Sequence, residues 1–174
     1  MGMIYAFSHV TPQSLNLVNS WVEKTSSAEI YALDILEKFP NARFIHVVRD
    51  PRDNYASLKS GWESRYRHLS DSTSLEMLMQ TMIDRAGLGF KCGNNNYNQL
   101  GKNSYKFVKY EDLVTGTKNI MEEISDFLEV EFNNSLLKPT FCGLDWPGNK
   151  FSGKPQQDVN SDGIGSWEHR ITES

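Results

Sequence analysis

Along this chain the apolar positions change period several times, and each change marks an element. Ile30, Leu33, Ile35 and Leu36 recur at helical spacing, and Phe39-Pro40-Asn41 ends the pattern. Ahead of them Ser26-Ser27-Ala28-Glu29 reads as a capping box, the serine hydroxyl accepting the Glu29 N–H while that carboxylate reaches back. A helix is therefore predicted from Ser26 to about Phe39. Phe44-Ile45-His46-Val47-Val48 is an unbroken, β-branched run, which predicts a strand covered on both faces. Asp50-Pro51 follows at once: aspartate suits a helix N-cap, and proline at the first helical position loses no hydrogen bond. That predicts a helix from Pro51 to about Gly61. Leu75, Leu78, Met79, Met82, Ile83 and Ala86 mark another, opened by Thr73 with Glu76 three residues on and extending towards Leu100. Tyr105-Lys106-Phe107-Val108-Lys109 is a second strand, and Ile120, Met121, Ile124, Phe127 and Leu128 stripe the helix after it. From Phe141 to Gly165 glycines and prolines break every period, predicting a long loop before a short terminal helix around Trp167.

Strands alternating with helices imply an α/β fold, a parallel sheet flanked by helices and joined by right-handed crossovers. Ligands of such sheets bind beyond the carboxyl ends of the strands. With 174 residues, 39% of them hydrophobic, the chain fits one domain spanning 1–174. It has no internal repeat and no low-complexity segment.

Charge narrows the partners. A formal net charge of -4 argues against a general nucleic-acid binder, which needs a broad basic surface, so any anion site must be local. No run approaches the ~18 apolar residues of a membrane span, and the N-terminus has no signal-peptide pattern; a cytoplasmic protein with no membrane partner is expected. Cys92 and Cys142 match neither a metal-ligand pair nor a disulfide framework. His9, His46, His68 and His169 are scattered, without an i, i+4 pair, so no metal is predicted.

The chemistry concentrates around Arg49. It leaves the first strand at its carboxyl end, beside the N-terminus of the Pro51 helix, whose free N–H groups and positive dipole end favour an anion. Ser57 sits about two turns into that helix, so its hydroxyl can share a phosphate with the guanidinium fork if the strand end curls over the helix. The competing reading makes Arg49-Asp50 and Arg52-Asp53 ordinary exposed ion pairs around a capped helix.

The run from Phe39 to Asp53, Phe-Pro-Asn-Ala-Arg-Phe-Ile-His-Val-Val-Arg-Asp-Pro-Arg-Asp, with Ser57 after it, resembles the 3′-phosphate motif of sulfotransferases. Those enzymes move a sulfuryl group from 3′-phosphoadenosine 5′-phosphosulfate (PAPS) to a hydroxyl or amine, leaving 3′,5′-adenosine bisphosphate (PAP), on a fold similar to P-loop kinases and NTPases. The resemblance implies that Arg49 and Ser57 contact the 3′-phosphate. Trp21-Val22-Glu23-Lys24-Thr25 is similar to the segment whose lysine lies near the transferring group, making Lys24 the candidate catalytic residue. A placed ammonium suits charge that develops on the sulfuryl oxygens and leaving phosphate. Ser26 stands where the cytosolic branch has a histidine base; Glu23 is a weak alternative, and the base is unassigned. Val108-Lys109-Tyr110-Glu111-Asp112-Leu113 resembles the strand-ending segment whose tyrosine meets adenine, which assigns Tyr110. The stretch from Phe151 to Trp167 is similar to the C-terminal loop that closes over the cofactor, with Ser152 and Lys154 reaching its phosphates.

One signature is missing. Met1 to Ser20 holds a single glycine, Gly2, and no strand followed by a Gly-Thr loop that would wrap the 5′-phosphosulfate. The chain thus resembles a partial sulfotransferase domain truncated at its N-terminus, beginning after the first strand and loop. Sheet edges exposed by that loss favour a homo-oligomer, or Met3-Ile4-Tyr5-Ala6-Phe7 as a replacement strand. Two functions compete: sulfuryl transfer to a small-molecule, carbohydrate or peptide acceptor, and a non-catalytic nucleotide-binding or partner subunit. A nucleotide kinase would need the same missing loop. The stretch from Trp62 to His68 is a candidate acceptor surface, though an exposed helix end is the readier explanation.

Overall fold

The computed structural model describes residues 20–66, 72–141, 144–145 and 158–171. A 3-10 turn, Ala28–Ile30, leads into α1, Ala32–Lys38. Then come β1, Phe44–Val48, α2, Pro51–Tyr66, and α3, Ser72–Leu100. β2, Tyr105–Lys109, passes directly into α4, Tyr110–Thr115, and α5, Thr117–Leu128. A second 3-10 turn, Asn134–Leu137, precedes a minimal antiparallel pair, β3, Thr140–Phe141, with β4, Leu144–Asp145. The last element is α6, Trp167–Arg170.

β1 and β2 are parallel, in the register Phe44↔Tyr105 through Val48↔Lys109. Parallel strands cannot be joined by a hairpin, so α2 and α3 form the crossover between them. The architecture is the expected α/β one, a parallel pair with helices packed around it. In-phase pairing has a direct consequence for the site: the residues that leave the two strands, Arg49 and Tyr110, emerge side by side.

The inner face of the pair is aromatic. Phe44 stacks on Tyr105 at 5.9 Å between ring centroids, His46 lies 5.1 Å from Phe107, and His46 Nδ1 is hydrogen-bonded to the Tyr105 hydroxyl at 2.8 Å. Burial pushes the His46 pKa below its ordinary value, with the Glu29 carboxylate offsetting part of that effect. A neutral imidazole serves the packing here. α3 comes closest at Gly93, where a Cβ would stand only 2.6 Å from His46 Nδ1 and 3.0 Å from the Phe107 ring.

Two local expectations fail for tertiary reasons. β1 is covered on one face only: Val47 is 52% exposed and Ile45 37%, while Phe44, His46 and Val48 on the alternate face are half-buried. An unbroken apolar run does not reveal which face finds a partner. The capping box does not form either. Ser27 precedes the 3-10 turn without a side-chain cap, and Glu29 Oε1 instead accepts from Arg85 Nη2 of α3 at 2.5 Å. The same guanidinium donates to the Ser26 carbonyl and to Ser27 Oγ. A charge-assisted bond to arginine outcompetes a carboxylate bond to one backbone N–H, so a residue 56 positions away decides the conformation of 26–29.

The other predicted boundaries agree with the pattern apart from length, while α4 and the β3–β4 pair, which reaches into the predicted loop, have no counterpart in it. α2 continues through Gly61 to Tyr66, because one glycine costs a helix only about 1 kcal/mol. α3 reaches Leu100 and stops at Gly101, whose φ of +73° suits glycine and whose N–H bonds the Tyr97 carbonyl.

Candidate functional site

Three segments distant in sequence meet at Arg49. Its guanidinium carbon lies 4.5 Å from the centroid of the Tyr110 ring, a cation–π contact, and its Nη2 donates to the Gly163 carbonyl at 2.8 Å. Its Nε is buried with no hydrogen-bond partner. An unpaired buried donor on a permanent cation is costly, and it marks where an anion would be stabilised. Gly163 packs closely against both tips: a Cβ there would come within 2.9 Å of Arg49 Nη2 and 3.1 Å of the Tyr110 hydroxyl, and would push them aside.

The start of α2 is already capped by carboxylates of the chain itself. Asp50 caps it as expected, with Oδ1 accepting from the Arg52 N–H at 2.8 Å. The Arg52 side chain also bonds both Asp50 oxygens, at 3.0 and 2.6 Å, which holds the Asp50 carboxyl down to about 2. Glu111 at the start of α4 accepts from the Asp50 N–H at 2.9 Å, tying the two helix starts together. Neither pair of the ion-pair reading is seen among the described residues: Asp50 pairs with Arg52, Arg49 bonds the Gly163 carbonyl, and Asp53 turns elsewhere.

Asp53 is 1% exposed and points at the C-terminal turn. Its Oδ2 accepts from the Gly165 N–H at 2.8 Å, and its Oδ1 from the Trp167 N–H at 3.0 Å and the Ser166 hydroxyl at 3.1 Å. Burial works to raise its pKa, but these three bonds together with the nearby Arg49 charge outweigh it and the net shift is downward. Arg52 covers the Trp167 ring at 4.2 Å, adding a second contact between α2 and α6. Gly165, at φ +68°, supplies the backbone conformation that lets two N–H groups converge on one carboxylate.

Of the residues singled out in the sequence, the structure brings Arg49 and Tyr110 into contact. Ser57 is half-buried on α2, one turn beyond Asp53 and on the same face. Lys24 is exposed in the stretch before the first 3-10 turn, and among the described residues no hydrogen bond or ion pair ties it to the Arg49 cluster. Glu23 is exposed beside it. Ser152 and Lys154, like the missing-loop region before Ser20, lie outside the described residues. Sequence reasoning missed Asp53, Glu111 and Gly163 as site builders. The available signal was the pair Gly163-Ile164-Gly165 before Ser166-Trp167, which reads as a tight turn but does not say what it wraps.

An open cleft of 530 Å³ adjoins the turn, lined by Asp50, Glu111, Asp112 and Glu168 together with Lys109 and Trp167. Its carboxylates outnumber Arg52 and Lys109 on the same lining, so the cleft repels phosphate more than the Arg49 guanidinium does. Among the described residues no cluster of His, Cys, Asp or Glu is arranged to hold a metal ion, and no helix is long and apolar enough to cross a membrane.

The model of the sulfotransferase family matches residues 3–134. That span includes Lys24, Arg49, Ser57 and Tyr110; it starts ahead of Trp21 and ends before the C-terminal turn. No curated protein matches the chain. Among solved structures, the sulfotransferase domain from the curacin biosynthetic pathway is similar at a TM-score of 0.49 and 22% identity, over 75% of this chain and 47% of that one. The chain therefore spans about half the length of that structure.

Proposed function

This chain belongs to the sulfotransferase family, and on that premise we propose that it binds PAPS and transfers its sulfuryl group to a hydroxyl or amine acceptor, releasing PAP. The observation that carries the reading is the Arg49 guanidinium, packed on Tyr110 at the mouth of a helix N-terminus with a buried, unpartnered Nε. These residues fit the nucleotide end of the donor. Arg49 would hold its 3′-phosphate, with Ser57 on α2 sharing it and Tyr110 offering an aromatic surface for adenine. The donor supplies an activated sulfuryl group on a phosphate leaving group. In the transfer the acceptor oxygen or nitrogen bonds to sulfur, the bond from sulfur to the bridging phosphate oxygen breaks, and the acceptor's proton departs. Lys24 would stabilise the charge growing on that leaving oxygen.

Titration calorimetry with PAP tests the binding half. Wild type should bind, Arg49→Ala should lose about 1.5–3 kcal/mol for each charge-assisted bond removed, roughly 10- to 150-fold in Kd, and Lys24→Ala should bind nearly as wild type. Transfer of label from PAPS to a panel of hydroxylated and amine acceptors tests the chemistry, with Lys24→Ala expected to lose it. Absence of PAP binding in wild type would sink the whole reading. A second function, nucleotide binding without transfer, is favoured by the exposed Lys24 lying apart from the Arg49 cluster's hydrogen bonds. PAP binding with no label transfer to any acceptor is its signature.

A further inference from the structure

We propose that Asp53 is a positioning residue that clamps the Gly163–Trp167 turn over Arg49, so that docking of the turn and anion binding by Arg49 are coupled. The proposal rests on the reading of Arg49 as a phosphate-binding residue. Two observations independent of that reading make the clamp. A carboxylate 1% exposed, inside the first turn of α2, accepts all three of its described hydrogen bonds from consecutive residues 165–167. Two residues before those donors, the Gly163 carbonyl takes a guanidinium N–H of Arg49, in a space too tight for a Cβ.

Each part has a physical task. Arginine side chains carry several rotatable bonds, and holding one in a single pose costs entropy on ligand binding. Here the Tyr110 ring fixes the guanidinium plane and the Gly163 carbonyl fixes its Nη2 end. The Nε edge is left as the unpartnered donor. Asp53 keeps that carbonyl in place without touching the anion itself. The carboxylate form is needed, because an amide would turn its own N–H₂ toward one of the three donors. Asp53 is thus matched to α2 on one side and the turn on the other, and it makes the arginine ready before ligand arrives.

The test uses the full chain with PAP as probe, comparing wild type, Asp53→Asn and Gly163→Ala. Asp53→Asn weakens the clamp by opposing one of its donors; Gly163→Ala leaves Asp53 intact but pushes the Arg49 guanidinium tip off the carbonyl. Both are expected to weaken PAP binding about tenfold, within the usual range of coupling between sites, when measured well below the unfolding midpoint of each variant. In ligand-free protein, both should also shift the NMR resonances of the Arg49 Nε–H, which a remote loss of stability would leave unmoved. Wild-type affinity in both variants overturns the clamp while leaving the nucleotide reading intact. Tighter binding also overturns it, since the turn would then be a competitor for Arg49. If wild type binds no PAP, the nucleotide reading fails, and the Arg49 Nε–H resonances alone decide the clamp: unchanged in both variants, they overturn it. Should Asp53→Asn not fold, Gly163→Ala carries the same outcomes.

Discussion

At the scale of single residues, the site depends on the chemical form of two side chains. Arg49 meets a ring face, a carbonyl and an open donor edge at once, which a planar fork can do and an ammonium cannot. Arg49→Lys should therefore bind PAP at least about tenfold more weakly than wild type, a loss that calorimetry reads directly; equal affinity would reduce the site to a point charge. Asp53 carries the pH dependence. Its folded pKa lies below the ordinary 3.8, so it stabilises the docked turn fully above that value. The contribution is lost as pH falls through the depressed folded pKa. NMR titration of the Gly165 amide should accordingly show the turn docked at neutral pH and released only below 3.8; release above about pH 5 would contradict the charged, hydrogen-bonded carboxylate.

At the scale of elements, α3 is the part whose sequence says least about what it touches. Gly87 and Gly93 look alike in a list of helix residues, yet a Cβ at Gly87 meets nothing within 4 Å and one at Gly93 runs into His46 and Phe107. Gly87→Ala should raise stability by up to about 1 kcal/mol through helix propensity. Gly93→Ala gains the same propensity and loses roughly 1–3 kcal/mol to overpacking, so urea denaturation should find it neutral to clearly destabilised, and always below Gly87→Ala. Arg85, on the same helix, holds residues 26–29 by three acceptors. Arg85→Met should free those residues, seen as faster amide exchange at Ile30 and Tyr31, whose N–H groups bond Ser27 and Ala28 carbonyls. The capping-box signature in 26–29 gave no hint of this, because it weighs only neighbours in sequence.

At the scale of the whole molecule, the site is an assembly of parts with unequal anchorage. Arg49 and Tyr110 stand at the ends of a paired ladder, whereas the turn that meets them is held to α2 by the Asp53 bonds and the Arg52–Trp167 contact, and to the strand end by the Arg49–Gly163 bond. Attachment through side chains, without a backbone ladder, favours local opening at low free energy. Native-state hydrogen exchange should find the Gly165 and Trp167 amides exchanging faster than those of β1 and β2, and slowed by saturating PAP. Equal protection of turn and ladder without ligand would show that the two open as one unit.

The sequence by itself determined both strands of the parallel pair to the residue, the helices α2, α3 and α5, and the place of Arg49 at a strand end beside a helix start. These follow from local causes: side-chain periodicity, a proline that opens a helix, an aspartate that caps it, and an arginine at a strand end. It also carried the family, through a run of residues around that strand. Only the tertiary structure decided which strand face is covered, that Glu29 serves Arg85, and that Asp53 is buried under a turn more than a hundred positions away. Periodicity shows that a side chain can be buried or bonded; which partner meets it depends on the packing of elements whose distance along the chain is unrelated to their distance in space.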